Sequence, residues 1–175
     1  MVTFVLDHKI GNIKMKKLIE NDFSNRIDSN KTKNAIDYGE RGYMCSSSIV
    51  MAFAAELGLG LETAAKISFG FAGGMAQGKT CGVVTGAFMV IGLKYGSGLT
   101  IDQYQKDYCA QIIQEFSHRF TARRKSLECS EILLMNNVNR YDSEEMRNLR
   151  EKKLCDKIIK DAAEILEDLF KEEGS

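Results

Sequence analysis

The sequence contains no proline and no tryptophan, only two histidines, and no excess of either charge, with Lys plus Arg and Asp plus Glu both at 24. Without proline there are no X-Pro turns, kinks or polyproline ligands, and long uninterrupted helices become the easiest structure for the chain to adopt. Balanced charge removes both the positive field of a dedicated nucleic-acid binder and the self-repulsion of a disordered tail, so no nucleic-acid partner is expected. Long hydrophobic runs are missing too. The longest uncharged stretches are the 12 residues after Lys66 and the 14 after Lys79, against about 20 apolar residues for a membrane-spanning helix. They read as core segments. The amino terminus, Met1-Val-Thr-Phe-Val-Leu-Asp-His-Lys, lacks the apolar run and small-residue cleavage pattern of a signal peptide, so a cytoplasmic location is expected.

What is present fits one domain. A chain of 175 residues, 44% of them hydrophobic, builds one real core and not two. Between Met44 and Leu93 only Glu56, Glu62, Lys66 and Lys79 carry charge, and 11 of the 15 glycines lie from Gly58 to Gly98. This contrast marks a buried centre in which glycines permit close backbone approach. The expected fold is therefore an all-α, single-domain helical bundle with a buried glycine-rich central helix pair, comprising an arm over residues 1–43 and a helical domain over 44–175. Such an apolar centre can also continue across a homodimer interface.

In the arm, Val2 to Leu6 reads as a strand and Ile13 to Phe23 as a short helix, before a polar loop from Ser24 to Lys33. Further helices are expected over Met44–Leu57, Leu61–Phe69, Thr80–Leu93, Cys129–Met135 and Leu154–Phe170, with Thr80 as the N-cap of the third. Thr100 is expected to cap a long helix carrying Tyr104, Tyr108, Cys109, Ile112, Ile113, Phe116 and Phe120 on its apolar side. In the last helix Leu154, Ile158, Ala162, Ile165 and Leu169 repeat with helical spacing.

Two patterns carry chemistry. Gly73-Gly-Met-Ala-Gln-Gly78-Lys79-Thr80 fits G-x-x-x-x-G-K-[ST], in which backbone amides cradle phosphates, the lysine reaches the β/γ-phosphates and the hydroxyl holds magnesium. Its confirming context is a preceding strand in a parallel sheet and a later strand ending in a magnesium-binding Asp, and the later half of the chain reads as helices alone. A nucleotide-binding reading through Gly73–Thr80 stays as an alternative. The second pattern is the cysteines: Cys45, Cys81, Cys109, Cys129 and Cys155, an odd number spread through a chain that needs no staples, which points to reduced thiols. No C-x-x-C pair encodes a local dithiol, and no C-x-x-C-H allows covalently attached haem. Cys81 follows the expected cap, where free amides and the helix dipole lower a thiol's pKa, and it is the first candidate for a reactive thiol. Cys109, among Ile112, Ile113 and Phe116, reads as core.

Four blocks in order then give a resemblance. Met44-Cys45-Ser46; Phe71-Ala-Gly-Gly-Met-Ala-Gln-Gly-Lys-Thr-Cys81-Gly82-Val-Val-Thr-Gly86-Ala87; Phe116-Ser-His-Arg-Phe120 with Glu128-Cys129-Ser-Glu-Ile-Leu133; and Leu154-Cys155 through Leu166 resemble the C_GCAxxG_C_C family of redox-active proteins. The resemblance covers about 70% of the chain. Two positions depart from it: Val83 stands at the signature alanine, and Arg124-Lys125-Ser126 stands where members tend to have a glycine. It implies cysteine redox chemistry with a redox partner protein or a small oxidant. In one version Cys81 is an activated thiolate resolved by Cys45, Cys129 or Cys155. In the other these four thiolates hold an iron–sulfur cluster, with the loop glycines Gly73, Gly74, Gly78 and Gly82 donating amide hydrogen bonds to sulfur. The two stay open at the level of sequence.

Overall fold

The computed structural model describes residues 29–139, Asp142, Glu144 and residues 153–173. The strand expected over Val2–Leu6 and the helix expected over Ile13–Phe23 lie outside the described residues. The described chain is all-α, with seven helices: α1 (Lys31–Glu40), α2 (Cys45–Ala54), α3 (Leu61–Phe69), α4 (Gly82–Tyr95), α5 (Gln103–Arg124), α6 (Cys129–Met135) and α7 (Leu154–Glu172), plus one π-helical turn at Gly74–Gly78. None of the described helices is long and apolar enough to cross a membrane.

Helix α4 is the centre. Its sequence is apolar on every side, which only a helix enclosed by neighbours tolerates, and α2, α5 and α7 all pack against it. Gly86 makes one of these approaches possible: a Cβ there would come within 2.8 Å of the Ser46 carbonyl oxygen in α2. Five of the other glycines do not work this way, since a Cβ on Gly58, Gly60, Gly70, Gly92 or Gly98 would meet nothing within 4 Å. Close packing in the centre thus rests on the first turns of α4, and α2 contains no glycine at all.

Helix α1 begins inside the stretch read as a polar loop. Asn30 caps it by accepting from the Lys33 amide at 2.7 Å, while Glu167 of α7 accepts from the Lys31 amide at 2.9 Å and the Thr32 hydroxyl at 2.7 Å. A carboxylate from another helix therefore satisfies the donors that α1 leaves open at its start. The other face of α7 is apolar, and Leu154, Ile158, Ala162, Ile165 and Leu169 are all buried as their spacing requires. Arg119, Arg123 and Arg124 on α5 reach Glu172, Glu164 and Asp161 on α7 at 2.8, 2.9 and 2.6 Å, a rim of ion pairs over the buried seam.

Two expected caps move. The long helix starts at Gln103 and is capped by Asp102, which accepts from the Tyr104 amide at 2.9 Å, because a carboxylate one residue before the helix outcompetes the Thr100 hydroxyl. That hydroxyl instead donates to the Ser97 carbonyl at 2.7 Å. Tyr104, placed on the apolar side by its spacing, is 77% exposed and stacks on Tyr108. Helix α4 starts later than expected, with Cys81 in the N-cap position, since Thr80 is held in extended backbone opposite Glu128.

Lys125 ends α5 at φ +68°, in the left-handed region, and its amide bonds the Thr121 carbonyl at 2.7 Å. That is the C-terminal geometry glycine adopts without strain, and it lies in the tripeptide where the family tends to have glycine. Lys125→Gly is expected to stabilise the protein by up to about 1 kcal/mol, read as a higher urea midpoint with an unchanged slope.

Candidate functional site

Each of four helices starts with a cysteine or one residue away from one. Cys45 is the first residue of α2, Cys81 the N-cap of α4, Cys129 the first residue of α6 and Cys155 the second of α7. All four line one cleft of about 680 Å³, walled on one side by the end of α1 and the turn from Gly39 to Met44, and on others by Val83, Ile132 and Ile158. Cys109, in the middle of α5, is packed at the edge of the core and does not line the cleft.

Cys45 is positioned by the three serines that follow it. Ser46, Ser47 and Ser48 are buried, so each hydroxyl needs an internal partner. Ser46 donates to the Ser68 carbonyl at 2.7 Å and Ser47 to the Ala65 carbonyl at 3.3 Å, both in α3, and Ser48 donates back to the Met44 carbonyl at 3.0 Å. This polar seam fixes the start of α2 against α3. On the opposite side a Cβ on Gly82 would overlap the Cys45 sulfur and come within 3.0 Å of the Ala72 Cα. Glycine after Cys81 is therefore a requirement of space: it lets the Cys45 sulfur sit against the first turn of α4.

Cys81 and Cys129 are brought together by backbone. The Cys81 amide donates to the Leu127 carbonyl at 2.7 Å and the Cys129 amide to the Lys79 carbonyl at 2.8 Å, with Thr80 and Glu128 facing each other between them. Cys129 is the leading influence on the Cys81 thiol.

The electrostatics reverse one sequence expectation. The Cys81 thiol is held well above its ordinary value of 9.0, by its hydrogen bond with Cys129, by burial, and by the neighbouring Cys45 and Cys129 sulfurs, with the Val83 amide opposing them too weakly. Burial and Cys129 likewise push the Cys45 thiol up, against amide contacts led by that of Gly73. The helix terminus does not make Cys81 an activated thiolate, because desolvation and neighbouring thiols outweigh the amides around it. Cys129 acts on both Cys45 and Cys81, and Cys45 acts on Cys81, while Cys155 stands on the cleft wall.

The loop glycines separate by place. Gly73 lines the cleft and turns its amide to Cys45, and Gly82 lies against the Cys45 sulfur. Gly74 and Gly78 are buried outside the lining, Gly74 at φ +63° where a Cβ would strike the Lys79 backbone. The run Gly73–Thr80 follows helix α3, not a strand, and the Thr80 hydroxyl donates to Glu128 at 3.1 Å. It lacks the strand that aims a phosphate-binding loop, and the hydroxyl that would take magnesium is engaged. Among the described residues no group of three or more His, Cys, Asp or Glu side chains is arranged to hold a single metal ion.

Sequence reasoning did not find α1, the serine seam or the Thr80–Glu128 contact. The one signal for the last is that both residues stand immediately before a cysteine.

A thiol whose pKa is raised by folding binds its proton more tightly in the folded state, so its contribution is complete below the unfolded value and is lost as pH rises through the folded one. Reduced, metal-free protein is expected to lose thermal stability as pH rises above 9.0, the ordinary thiol value, and Cys81→Ala to lose less over the same interval in a series of melting curves.

Neither a curated protein nor a solved structure matches the chain. A family match does extend over residues 43–169, from the wall of the cleft to the end of α7, and takes in all four cleft cysteines. The chain belongs to the C_GCAxxG_C_C family, described as "Putative redox-active protein (C_GCAxxG_C_C)", and its general role is redox.

Proposed function

We propose that the cleft is the redox centre and that Cys81 and Cys129 are its working thiol–disulfide couple. The observation that carries this reading is the pairing of the backbone segments that carry the two thiols, Lys79–Cys81 against Leu127–Cys129, with Cys129 the leading influence on the Cys81 thiol. The partner is a protein or small oxidant that presents a disulfide.

The roles follow from access. Cys129 is 9% exposed and Cys81 5%, so Cys129 is the attacking sulfur. It gives up its proton, forms a bond to one sulfur of the partner disulfide, and the other partner sulfur leaves and is protonated. Cys81 then attacks the Cys129 sulfur, its proton passing to the second leaving sulfur, and the Cys81–Cys129 bond closes. Two electrons and two protons move to the partner, which becomes two thiols.

A second reading is favoured by a different observation: four cysteines at four helix starts share one cleft with no histidine in its lining. A single tetrahedral ion needs every sulfur about 2.3 Å from one point, whereas an iron–sulfur cluster spreads its thiolates over several irons. In donor type the set fits such a cluster. Cys45, Cys81, Cys129 and Cys155 would hold it, the Gly73 amide would donate to the Cys45 sulfur, and the cluster would supply one-electron transfer. Visible absorption with matched iron and acid-labile sulfide in protein purified without oxygen would transfer the assignment to this reading.

For the couple, reduced metal-free protein is treated with oxidised glutathione and digested, and its disulfides are mapped by mass spectrometry. The expected product is a Cys81–Cys129 bond, absent in Cys129→Ser. Oxidation that joins Cys45 or Cys155 and leaves Cys81 and Cys129 as free thiols would overturn it.

A further inference from the structure

The run Gly73–Thr80 is the most distinctive motif in the chain, and the redox reading assigns no chemistry to its last two residues. Their surroundings do. Lys79, Thr80 and Cys81 pair antiparallel with Leu127, Glu128 and Cys129 through the two amide bonds described above, and Thr80–Glu128 is the one bridge of this kind among the described residues. It belongs to no sheet. In extended backbone successive side chains point to opposite faces, so Thr80 and Glu128 share one face while Cys81 and Cys129 share the other.

The bridge is reinforced on both ends. The Thr80 hydroxyl donates to Glu128 Oε1 at 3.1 Å, and the Ser130 hydroxyl donates to the Gly78 carbonyl at 2.9 Å. The Glu128 amide donates to Ser126 Oγ at 2.9 Å, and Ser126 donates in turn to Glu131 at 2.5 Å. A pairing of two backbone bonds around one bridge is too short to hold itself by those bonds alone, and side-chain bonds across and beside it supply what is missing.

We infer that Thr80 and Glu128 form a positioning pair, a clip that sets the separation of Cys81 and Cys129 and thereby the equilibrium between their thiol and disulfide forms. The inference rests on the reading of these two cysteines as the redox couple. A disulfide closes only when the Cβ atoms approach to about 3.5–4.5 Å, and without the clip the two cysteines are the ends of a long loop whose closure costs entropy. The clip supplies that closure before any bond forms, so loosening it lowers the equilibrium constant for oxidation. Neither residue need touch the partner.

Wild type, Thr80→Val, Thr80→Ser, Glu128→Ala and the double variant Thr80→Val/Glu128→Ala are equilibrated in metal-free form against a series of dithiothreitol ratios. The Cys81–Cys129 disulfide is quantified after acid quenching, and alkylation of Cys109, remote from the cleft, checks that the fold is intact. Thr80→Val and Glu128→Ala are each expected to lower the equilibrium constant about three- to tenfold, the worth of one partly exposed hydrogen bond. Thr80→Ser stays within about twofold because it keeps the donor, and the double variant is no worse than the weaker single one because both remove the same contact. Single variants that leave the constant at the wild-type value, or losses that add in the double variant, overturn the clip while leaving the couple in place. A wild type that forms no Cys81–Cys129 disulfide overturns the couple and the clip with it.

Discussion

Two backbone hydrogen bonds, from Cys81 to Leu127 and from Cys129 to Lys79, join the start of the central helix to the start of a short helix far along the chain. Everything distinctive about the cleft depends on this junction. It puts two cysteines on one face, it turns the face carrying Thr80 and Glu128 away from them, and it delays the start of α4 until Cys81. Local propensity alone would start the helix at Thr80, a good N-cap residue. The tertiary pairing prevails because it satisfies two amides and a hydroxyl at once.

Around that junction the packing is set by small residues with specific tasks. Gly82 makes room for the Cys45 sulfur and Gly86 for the Ser46 carbonyl, while the buried serines after Cys45 use their hydroxyls to join α2 to α3. These contacts bring Cys45 and Cys81 into a space where their charged forms are disfavoured. A protein that only needed reactive cysteines would leave them solvated at helix termini, with depressed pKa values. Here burial and the neighbouring Cys129 hold Cys45 and Cys81 in the neutral form.

Much of this was legible in the residues. The apolar stretch after Met44, the spacing of Leu154 to Leu169 and the absence of proline specify a helical bundle, and the four cysteine blocks carry the family. The helix boundaries at Leu61–Phe69 and Cys129–Met135 follow from local signals. What was hidden depends on partners distant in the chain. Helix α1 gets part of its N-terminal capping from Glu167, the Thr80–Glu128 contact joins two segments with no common periodicity, and the pKa of Cys81 is decided by neighbours that its own helix does not contain. The apparent phosphate loop misleads for a related reason: its glycines and lysine match a local pattern, while the turn is shaped by Gly74 packing on the Lys79 backbone and by Thr80 reaching Glu128.

The central claim is that the fold builds a two-thiol couple and leaves the other cysteines outside it. An anaerobic redox titration of the purified protein, with thiols counted and visible absorption recorded at each potential, tests it most directly. The account predicts a single two-electron step in which two thiols disappear without any visible band. A one-electron wave that follows a visible band and the iron content, with no change in thiol count, would contradict it.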